Sequence, residues 1–430
     1  MLKHEQAELV GMIKRQRPGW SLEQSFYVDP SVYAAEQELW FPRQWTLVGH
    51  VSELPRKGSY IVRQLFGEDI VIVRSGDADG EMQAYFNVCT HRGSRLCARD
   101  GHARLLVCPY HAWSFKLTGE LQTRRDLPSD VDPDSLGLRR VALRVVSGVI
   151  LCGLDADHLP DPQPAIDSLG EALRTHGVDR ARIAKKITYP TQANWKLVLE
   201  NFLECYHCRP AHPEYCSANG HVKVTAVRDA AMAEQWAREL SEWQSDTARV
   251  NINQPVWVPG GIDEMPYGVN RKPIGDGRKT LSQDGEPVSR LMGDFSAYDG
   301  GETVLRFGRL SFASATNDYV ILVQIVPRNS HETDVTLTWL VDRDAEQSIN
   351  TDALCWMWDI TTQQDKRITE DNAIGVRSMA YRPGPYTPLE SQTEAFVSSY
   401  LAEMETLITG VVHAPLKIWA EPFSNCMDAK

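Results

Sequence analysis

Two cysteines and two histidines in one short stretch have the types and spacing of metal ligands. Cys89 and His91 form a C-x-H pair, and after sixteen intervening residues Cys108 and His111 form a C-x-x-H pair. Two thiolates and two imidazoles can hold one zinc ion tetrahedrally. They can equally hold a [2Fe–2S] cluster, with both cysteines on one iron and both histidines on the other. The residue types alone leave both alternatives open.

The sequence around these pairs favours the cluster. Zinc fingers place at least one ligand pair on a helix, whereas both pairs here follow β-rich runs and enter tight loops marked by Gly93 and Pro109. The strings C-T-H-R-G and C-P-Y-H-A-W resemble the Rieske signature. The resemblance implies a Rieske-type [2Fe–2S] cluster, and four residues would bind it: Cys89, His91, Cys108 and His111.

A second stretch, NFLECYHCRPAHPEY, starts at Asn201 and is equally rich in possible ligands: Glu204, Cys205, His207, Cys208 and His212. Two histidines and a carboxylate with open positions form the facial triad of non-haem Fe(II) oxygenases, whereas thiolates favour zinc or copper(I). A helix capped by Asn194 and running to Tyr206 places Glu204 and His207 on one face. Pro210 would end that helix and let His212 return to the same point. The two cysteines face elsewhere, and we expect them to be small buried apolar residues.

The third ligand must come from another element. The predicted helix DALCWMWDITTQQDKRITEDNAIG carries several acids: Asp352, Asp359, Asp365, Glu370 and Asp371. Asp365 is the one carboxylate on an otherwise apolar stripe that includes Leu354, Trp358 and Ile368. Because a buried charge needs a partner or a metal, Asp365 is the predicted ligand.

Composition bounds the class of protein that carries these residues. The chain has 430 residues, which predicts two or three domains. With 57 acidic and 45 basic residues the net charge is −12, which argues against nucleic-acid binding. The N-terminus lacks the apolar core of a signal peptide, and the longest apolar run, Val145–Leu154, is too short for a membrane span and is predicted as one buried strand. We therefore expect a cytoplasmic protein with no membrane partner, whose nine cysteines serve metal binding more than disulfides.

The elements divide the chain into three parts. Residues 1–44 carry helical signals, and residues 45–156 contain short β-rich runs that predict an all-β domain. Residues 157–430 mix helices with an antiparallel meander, so the fold class is α+β. Within this last part, residues 228–300 are predicted as long loops and short helices, and long helices are predicted near 345–380 and 388–407.

The second stretch carries a further resemblance. N-W-K-L-V-L-E-N, ending at Asn201, followed by E-C-Y-H and H-P-E, resembles the catalytic domain of Rieske non-haem iron oxygenase α subunits. The resemblance implies a helix-grip fold, a homotrimer and a mononuclear Fe(II) held by His207, His212 and Asp365. It further implies catalytic roles for Asn201 and for Glu204, which would bridge to a cluster ligand, His111 of the partner subunit.

The same resemblance indicates the reaction. No GxGxxG-containing βαβ unit is present, so NAD(P)H would act through a separate flavin/iron–sulfur reductase. The strings E-N-x-x-E-C-Y-H-C, W-L-V-x-x-D and A-Y-x-P-G-P-Y resemble the glycine betaine, proline betaine (stachydrine) and carnitine oxygenases. This implies O2-dependent hydroxylation next to a quaternary nitrogen and release of formaldehyde. Aromatic rings are the natural receptor for such a cation, and four are candidates: Trp236, Trp243, Trp257 and Tyr267.

Two other functions remain open from the sequence. One is an aromatic-acid ring hydroxylase on the same scaffold, although ring dioxygenases usually have aspartate where this chain has Glu204. The other is an electron-transfer or zinc-structural protein without oxygen chemistry. For a betaine, the sequence singles out no arginine that would bind the substrate carboxylate.

Overall fold

The computed structural model describes residues 3–76, 81–123, 130–219, 230–247, 255–275 and 277–412. The strands are β1 Thr46–His50, β2 Ser59–Leu65, β3 Glu68–Arg74, β4 Met82–Phe86, β5 Gly101–His102, β6 Leu106–Val107, β7 Ser114–Phe115, β8 Leu121–Thr123, β9 Arg140–Val146, β10 Val149–Gly153, β11 Ala181–Thr191, β12 Val256–Val258, β13 Tyr267–Pro273, β14 Gly301–Phe307, β15 Ser311–Ala315, β16 Val320–Asn329 and β17 Glu332–Asp342. The helices are α1 Lys3–Arg15, α2 Gln24–Val28, α3 Pro30–Ala35, α4 Gln163–Thr175, α5 Trp195–Phe202, α6 Cys208–Ala211, α7 Pro213–Ala218, α8 Ala230–Thr247, α9 Thr351–Val376 and α10 Ser391–Thr409.

The β domain is built from antiparallel strands in the order β1-β10-β9-β4-β3-β2-β5, with a smaller sheet β6-β7-β8 beside it. Strand β3 is buried on both faces, which explains its β-branched run. Ile70 and Ile72 pack into the core shared with the catalytic helices, whereas Val71 and Val73 pack beneath the cysteine–histidine loops. The strand therefore joins the two cores.

The apolar run at 145–154 is a hairpin rather than the single strand that we predicted. Strand β9 ends at Val146 and β10 begins at Val149, and Ser147 and Gly148 between them both have positive φ angles of 44° and 91°. A two-residue turn of this kind reverses the chain within an apolar run, and a glycine at the second position makes it accessible. Periodicity could not show the turn because both strands are buried.

The catalytic region is a seven-stranded antiparallel sheet in the order β11-β17-β16-β15-β14-β13-β12. Side chains alternate between its two faces, as β16 shows: Ile321 and Val323 pack with residues of α5 and α9, whereas Val320 and Leu322 pack with residues of α4. The predicted fold class, an all-β domain followed by an α+β domain with an antiparallel sheet, is confirmed.

The long helices near 345–380 and 388–407 are confirmed with narrower or shifted bounds, as α9 and α10. The prediction for residues 228–300 was wrong in part. It missed the 18-residue α8 and the strands β12 and β13, which extend the sheet at one edge. The prediction of loops depended on the glycines and prolines that flank these elements, and these residues hid the helical and strand patterns between them. Among the described residues, no helix is long and apolar enough to cross a membrane.

The N-terminal helices are fastened to the catalytic region by a buried polar cluster around Glu36. Its carboxylate accepts hydrogen bonds from Trp195 Nε1 at 2.8 Å, Lys196 Nζ at 2.5 Å and Tyr400 Oη at 2.5 Å. Glu36 and Lys196 are both fully buried. Because Trp195 and Lys196 begin α5, this cluster fixes the helix that leads into the second metal-ligand stretch.

Candidate metal centres

His207, His212 and Asp365 meet at one point between the helices and the sheet. Asp365 Oδ1 lies 3.3 Å from Nε2 of His207 and 2.9 Å from Nε2 of His212. The three candidate ligand atoms all lie within 4.8 Å of one another. Among the described residues, this is the one group of three or more histidine, cysteine or acidic side chains that could hold a metal ion. Two imidazoles and one carboxylate fit the facial triad of a non-haem Fe(II) site.

The backbone reaches this geometry by a route different from the predicted one. Asn194 caps α5 as expected, accepting from the backbone N–H of Lys196, but the helix ends at Phe202 rather than at Tyr206. Glu204 and His207 therefore lie in a turn and not on a continuous helical face. Pro210 lies inside the short α6, and Pro213 begins α7, where a proline at the first position costs no hydrogen bond. The sequence contained the two histidines, but the turns between them decide how they converge.

Each histidine has its second ring nitrogen fixed by a hydrogen bond. Nδ1 of His207 lies 2.5 Å from Oε1 of Glu204, and Nδ1 of His212 lies 2.9 Å from Oε1 of Gln364. Because an acceptor holds the proton on Nδ1, Nε2 of each ring is left to face the metal position. Gln364 was not predicted: in the sequence it is one more polar residue of a helix, and only the fold brings it to His212.

The charges at this site support one another. Burial acts to lower the pKa of His207, but hydrogen bonds with Asp365 and Glu204 outweigh it and raise the pKa to about 9. Burial acts to raise the pKa of Asp365, but the two histidines outweigh it and hold the pKa below its usual value. The carboxylate is thus kept ionised, which is the form that binds a cation.

The remaining acids of α9 have other partners, which separates them from Asp365. Asp359 accepts from Tyr189 Oη at 2.6 Å and also from Gln363. Glu370 accepts from the backbone N–H of Gln192 and from the side chain of Lys366. The carboxylate on the apolar stripe of α9, Asp365, is therefore the acid of this helix that lies beside the two histidines.

Asn201, predicted as catalytic, lies beside the metal position. Its Nδ2 is 3.4 Å from Nε2 of His207, the ring nitrogen that faces Asp365 and the candidate metal position. Asn201 is the next-to-last residue of α5, so the fixed end of that helix sets the position of the amide.

Cys205 and Cys208 are bonded to each other rather than being separate buried residues, so the expectation for this pair was wrong. Their Cα atoms are 4.9 Å apart, within the range of a disulfide. The helix assumed in the sequence prediction pointed the two side chains in different directions. The turn that replaces it after Phe202 brings them together, and neither sulfur belongs to the group of metal ligands.

The four predicted cluster ligands of the β domain form two pairs. Cys89 and Cys108 are buried at the base of the loops, where each thiol is the other's hydrogen-bond partner. The rings of His91 and His111 are exposed at the tip, with centroids 4.8 Å apart. Trp113 stacks on His91 at 4.5 Å and fixes its orientation.

This arrangement distinguishes a two-iron cluster from one zinc ion. Four ligands on a single tetrahedral zinc would have donor atoms within roughly 4 Å of one another. Here the two thiols are buried and the two imidazoles are exposed, so the sulfur and nitrogen donors lie in separate pairs. A buried thiol pair beneath an exposed imidazole pair fits a cluster with cysteines on one iron and histidines on the other.

Comparison with known proteins agrees with both sites. Residues 178–406 match the family model of the ring-hydroxylating alpha subunit catalytic domain, and residues 44–136 match that of the Rieske [2Fe-2S] domain. The chain belongs to the Rieske oxygenase α subunits. This oxygenase therefore uses a Rieske [2Fe–2S] cluster and a mononuclear iron. An electron-transfer or zinc-structural protein does not account for the catalytic-domain match.

Individual relatives are similar along most or about half of the length of this oxygenase. The glycine betaine monooxygenase oxygenase subunit of Chromohalobacter salexigens is 35% identical over 393 residues, which cover 87% of this oxygenase and 84% of that protein. The carnitine monooxygenase oxygenase subunit of Escherichia coli is 36% identical over 203 residues, 46% of this oxygenase and 53% of that protein. A solved quaternary ammonium Rieske monooxygenase has the same fold, with a TM-score of 0.67 at 19% identity, covering 92% of this oxygenase and 98% of that chain.

Proposed function

We propose that this Rieske oxygenase is the terminal component of a two-component monooxygenase that hydroxylates a carbon next to the nitrogen of a small quaternary ammonium compound. Loss of the hydroxylated methyl group as formaldehyde then demethylates the substrate. The observation that carries the proposal is the His207–His212–Asp365 group with Glu204 behind His207. The relatives named above act on glycine betaine and carnitine, which supports the substrate class.

The residues have distinct tasks in this proposal. His207, His212 and Asp365 would hold the mononuclear iron, and Cys89, His91, Cys108 and His111 would hold the cluster. The iron supplies O2 activation, and the cluster supplies electrons. Glu204 keeps the Nδ1 proton of His207 in place and so fixes the ring that would face the iron. The amide of Asn201 lies at the same position and can donate to a ligand there.

The surface fits a ring of subunits. Exposed apolar side chains of Val88, Val107 and Tyr110 surround the loops of the cluster residues. Tyr206, 52% exposed, lies two residues from Glu204 on the iron side. Two unlike patches on one chain fit a head-to-tail contact, which closes into a ring when the rotation allows it. We place Glu204 opposite His111 of the partner subunit in a homotrimer, and a flavin/iron–sulfur reductase as the further partner. Because NAD(P)H is a cytoplasmic electron donor, we propose that the reductase and this oxygenase both act in the cytoplasm.

Formaldehyde release tests the proposed reaction. The purified oxygenase is combined with a surrogate reductase, NADH and O2, and offered glycine betaine, proline betaine, L-carnitine or benzoate. We expect formaldehyde in proportion to a betaine-type compound consumed, and no such product from the Asp365→Ala variant. Hydroxylation of benzoate with no turnover of any quaternary amine would establish the aromatic-acid alternative instead.

A further inference from the structure

Strand β14 carries two buried and opposite charges that have no ion-pair partner among the described residues. Glu302 is fully buried and Arg306 is 5% exposed. They are four residues apart on one strand, so their side chains leave the same face of the sheet. That face packs with α5 and α9, the helices that carry Asn201 and Asp365. Buried charges of this kind usually have a partner, so each invites a ligand of opposite charge.

Glu302 is buried beside an unpartnered hydrogen-bond acceptor. Its carboxylate accepts from Ser314 Oγ at 2.7 Å and from Asn219 Nδ2 at 3.0 Å, and both donors are neutral. Lys272 lies opposite Glu302 in the β13–β14 register but forms no ion pair with it. Arg271 attracts Glu302, but its guanidinium forms its ion pair with Asp299. Asn219 is fully buried, and its Oδ1 has no hydrogen-bond partner. A carboxylate beside an unpartnered amide oxygen favours a cation as the missing ligand.

Asn219 links Glu302 to a pair of aromatic rings beside the iron ligands. The Asn219 amide that binds Glu302 also donates to Tyr215 Oη at 3.1 Å. Tyr215 follows His212 on α7, and its ring lies 5.7 Å from that of Trp358, two turns before Asp365 on α9. A carboxylate and two aromatic faces are the groups that attract a quaternary ammonium, which cannot accept or donate an ordinary hydrogen bond.

Arg306 lies in an aromatic setting at the other end of the strand. Its guanidinium is 4.6 Å from the ring centroid of Trp257 and 5.8 Å from that of Phe312. Its Nε donates to the Gly308 carbonyl oxygen, and burial, reinforced by the positive charge of Arg309, lowers its pKa to about 9. Gly268 makes room for this arrangement, because a Cβ there would lie 2.7 Å from the Trp257 ring.

Arg306 also belongs to the surroundings of the iron ligands. The Phe312 ring stacks at 5.8 Å on Phe202, the last residue of α5, directly before the turn that carries Glu204 and His207. The inner face of β14 therefore presents a negative charge at one end and a positive charge at the other.

We propose that Glu302 and Arg306 are the two poles of the substrate site, with Glu302 facing the quaternary ammonium and Arg306 binding the carboxylate of a zwitterionic substrate. The inference rests on the proposed function and narrows it to compounds that carry both charges. The orientation follows from charge, since a carboxylate attracts the ammonium group and a guanidinium attracts the substrate carboxylate. Glu302 is also linked through Asn219 and Tyr215 to the helix after His212, so the N-methyl groups would lie toward the iron ligands. Trp257, one of the four aromatic candidates from the sequence, acts by holding Arg306.

Binding of matched compounds tests the two poles separately. Calorimetry on the purified oxygenase compares glycine betaine and γ-butyrobetaine with choline, which lacks the carboxylate, and with 3,3-dimethylbutanoate, which has carbon in place of the charged nitrogen. We expect at least one zwitterion to bind about tenfold or more tightly than choline and the carbon analogue. Arg306→Met should abolish the advantage over choline, and Glu302→Gln the advantage over the carbon analogue. Glutamine keeps the hydrogen bonds to Ser314 and Asn219, because its oxygen can face the amide and its nitrogen the hydroxyl.

Glu171→Gln serves as the matched control, because Glu171 is an exposed carboxylate of α4 on the opposite side of the sheet. It should leave all affinities and the thermal midpoint unchanged. If Arg306→Met weakens choline as much as the zwitterions, or Glu302→Gln weakens the carbon analogue as much as the zwitterions, the two-pole site is wrong. A wild-type protein that binds choline and the zwitterions equally also overturns it while leaving the proposed function standing. Failure of the wild type to bind any quaternary compound would overturn the proposed function and this inference together.

Discussion

At the scale of single residues, function in this oxygenase depends on which atom of each side chain is already engaged. His207 and His212 both offer Nε2 to one point because Glu204 and Gln364 hold the opposite ring nitrogens. Asp365 completes the group because the neighbouring acids of α9 are engaged elsewhere, as Asp359 is with Tyr189. Hydrogen bonds, and not residue type alone, thus decide which ring nitrogen of each histidine and which acid of α9 are available to a metal.

Asp365→Ala should remove the mononuclear iron and all turnover while leaving the [2Fe–2S] absorption spectrum intact, because the cluster ligands lie in a different domain. Metal analysis should find three irons and little zinc per wild-type chain, and two irons in the variant. Asp359→Ala is the control, since Asp359 bonds Tyr189 instead, and it should retain the third iron. Stoichiometric zinc in the wild type, or loss of iron from Asp359→Ala alone, would contradict the ligand assignment.

Glu200→Gln should make stability less sensitive to alkali. Burial raises the pKa of Glu200 to about 8 from the usual 4.5, although Tyr27 donates a hydrogen bond to it. The folded state therefore binds the proton more tightly than the unfolded state, and the free energy of unfolding falls as pH rises from about 4.5 to about 8. Because Glu200 is half-buried, we expect a gain of about 1–3 kcal/mol for the variant at pH 9 and none at pH 4. Urea titrations at both pH values measure it, and an equal effect at both would refute the cause.

At the scale of elements, the ends of α5 decide the geometry of the iron site. The Asn194 cap and the ion pair between Lys196 and Glu36 fix the start of the helix. The helix ends at Phe202, and the turn that carries Glu204 and His207 follows it. The N-terminal helices thus act on the site through a buried ion pair, although they contribute no ligand.

Lys196→Met should destabilise the protein by about 3 kcal/mol, because it leaves the carboxylate of Glu36 buried without its cation. The midpoint of chemical unfolding measures the loss. Lys279→Met is the matched control: Lys279 pairs with Glu286 at the surface, where an ion pair contributes less than about 1 kcal/mol. Equal midpoints for the two variants would show that the Glu36 cluster does not fasten α5.

At the scale of the whole molecule, the two metal sites occupy different regions and must exchange electrons. The cluster histidines are exposed at a loop tip, and Glu204 lies next to an exposed tyrosine on the iron side. Oε1 of Glu204 already meets Nδ1 of His207, so a second imidazole brought to this carboxylate by a neighbouring subunit would complete a path between the sites.

Glu204→Ala should keep both metals and the oligomeric state yet fail to pass electrons from cluster to iron. Such outer hydrogen-bond partners affect activity more than metal retention. Rapid mixing of the reduced protein with substrate and O2 follows reoxidation of the cluster directly. Reoxidation at the wild-type rate would exclude the bridge, and loss of iron would identify Glu204 as a fourth ligand.

The sequence by itself predicted the two proposed ligand sets and determined the class of fold. Cysteine, histidine and carboxylate types are set by metal chemistry, and the antiparallel meander is set by alternation along β16 and β17, so both are visible in a linear string. The apolar stripe at helical spacing identified Asp365 correctly as the acid beside the histidines, because α9 is a long and regular helix.

Only the tertiary structure decided how short segments turn and which distant residues meet. The early end of α5, the bond between Cys205 and Cys208, and the hairpin at Ser147 and Gly148 depend on turns that local propensity does not specify. The pairing of Gln364 with His212 joins residues far apart in the chain. Such contacts are fixed by packing of helices on a sheet, which no spacing in the sequence encodes.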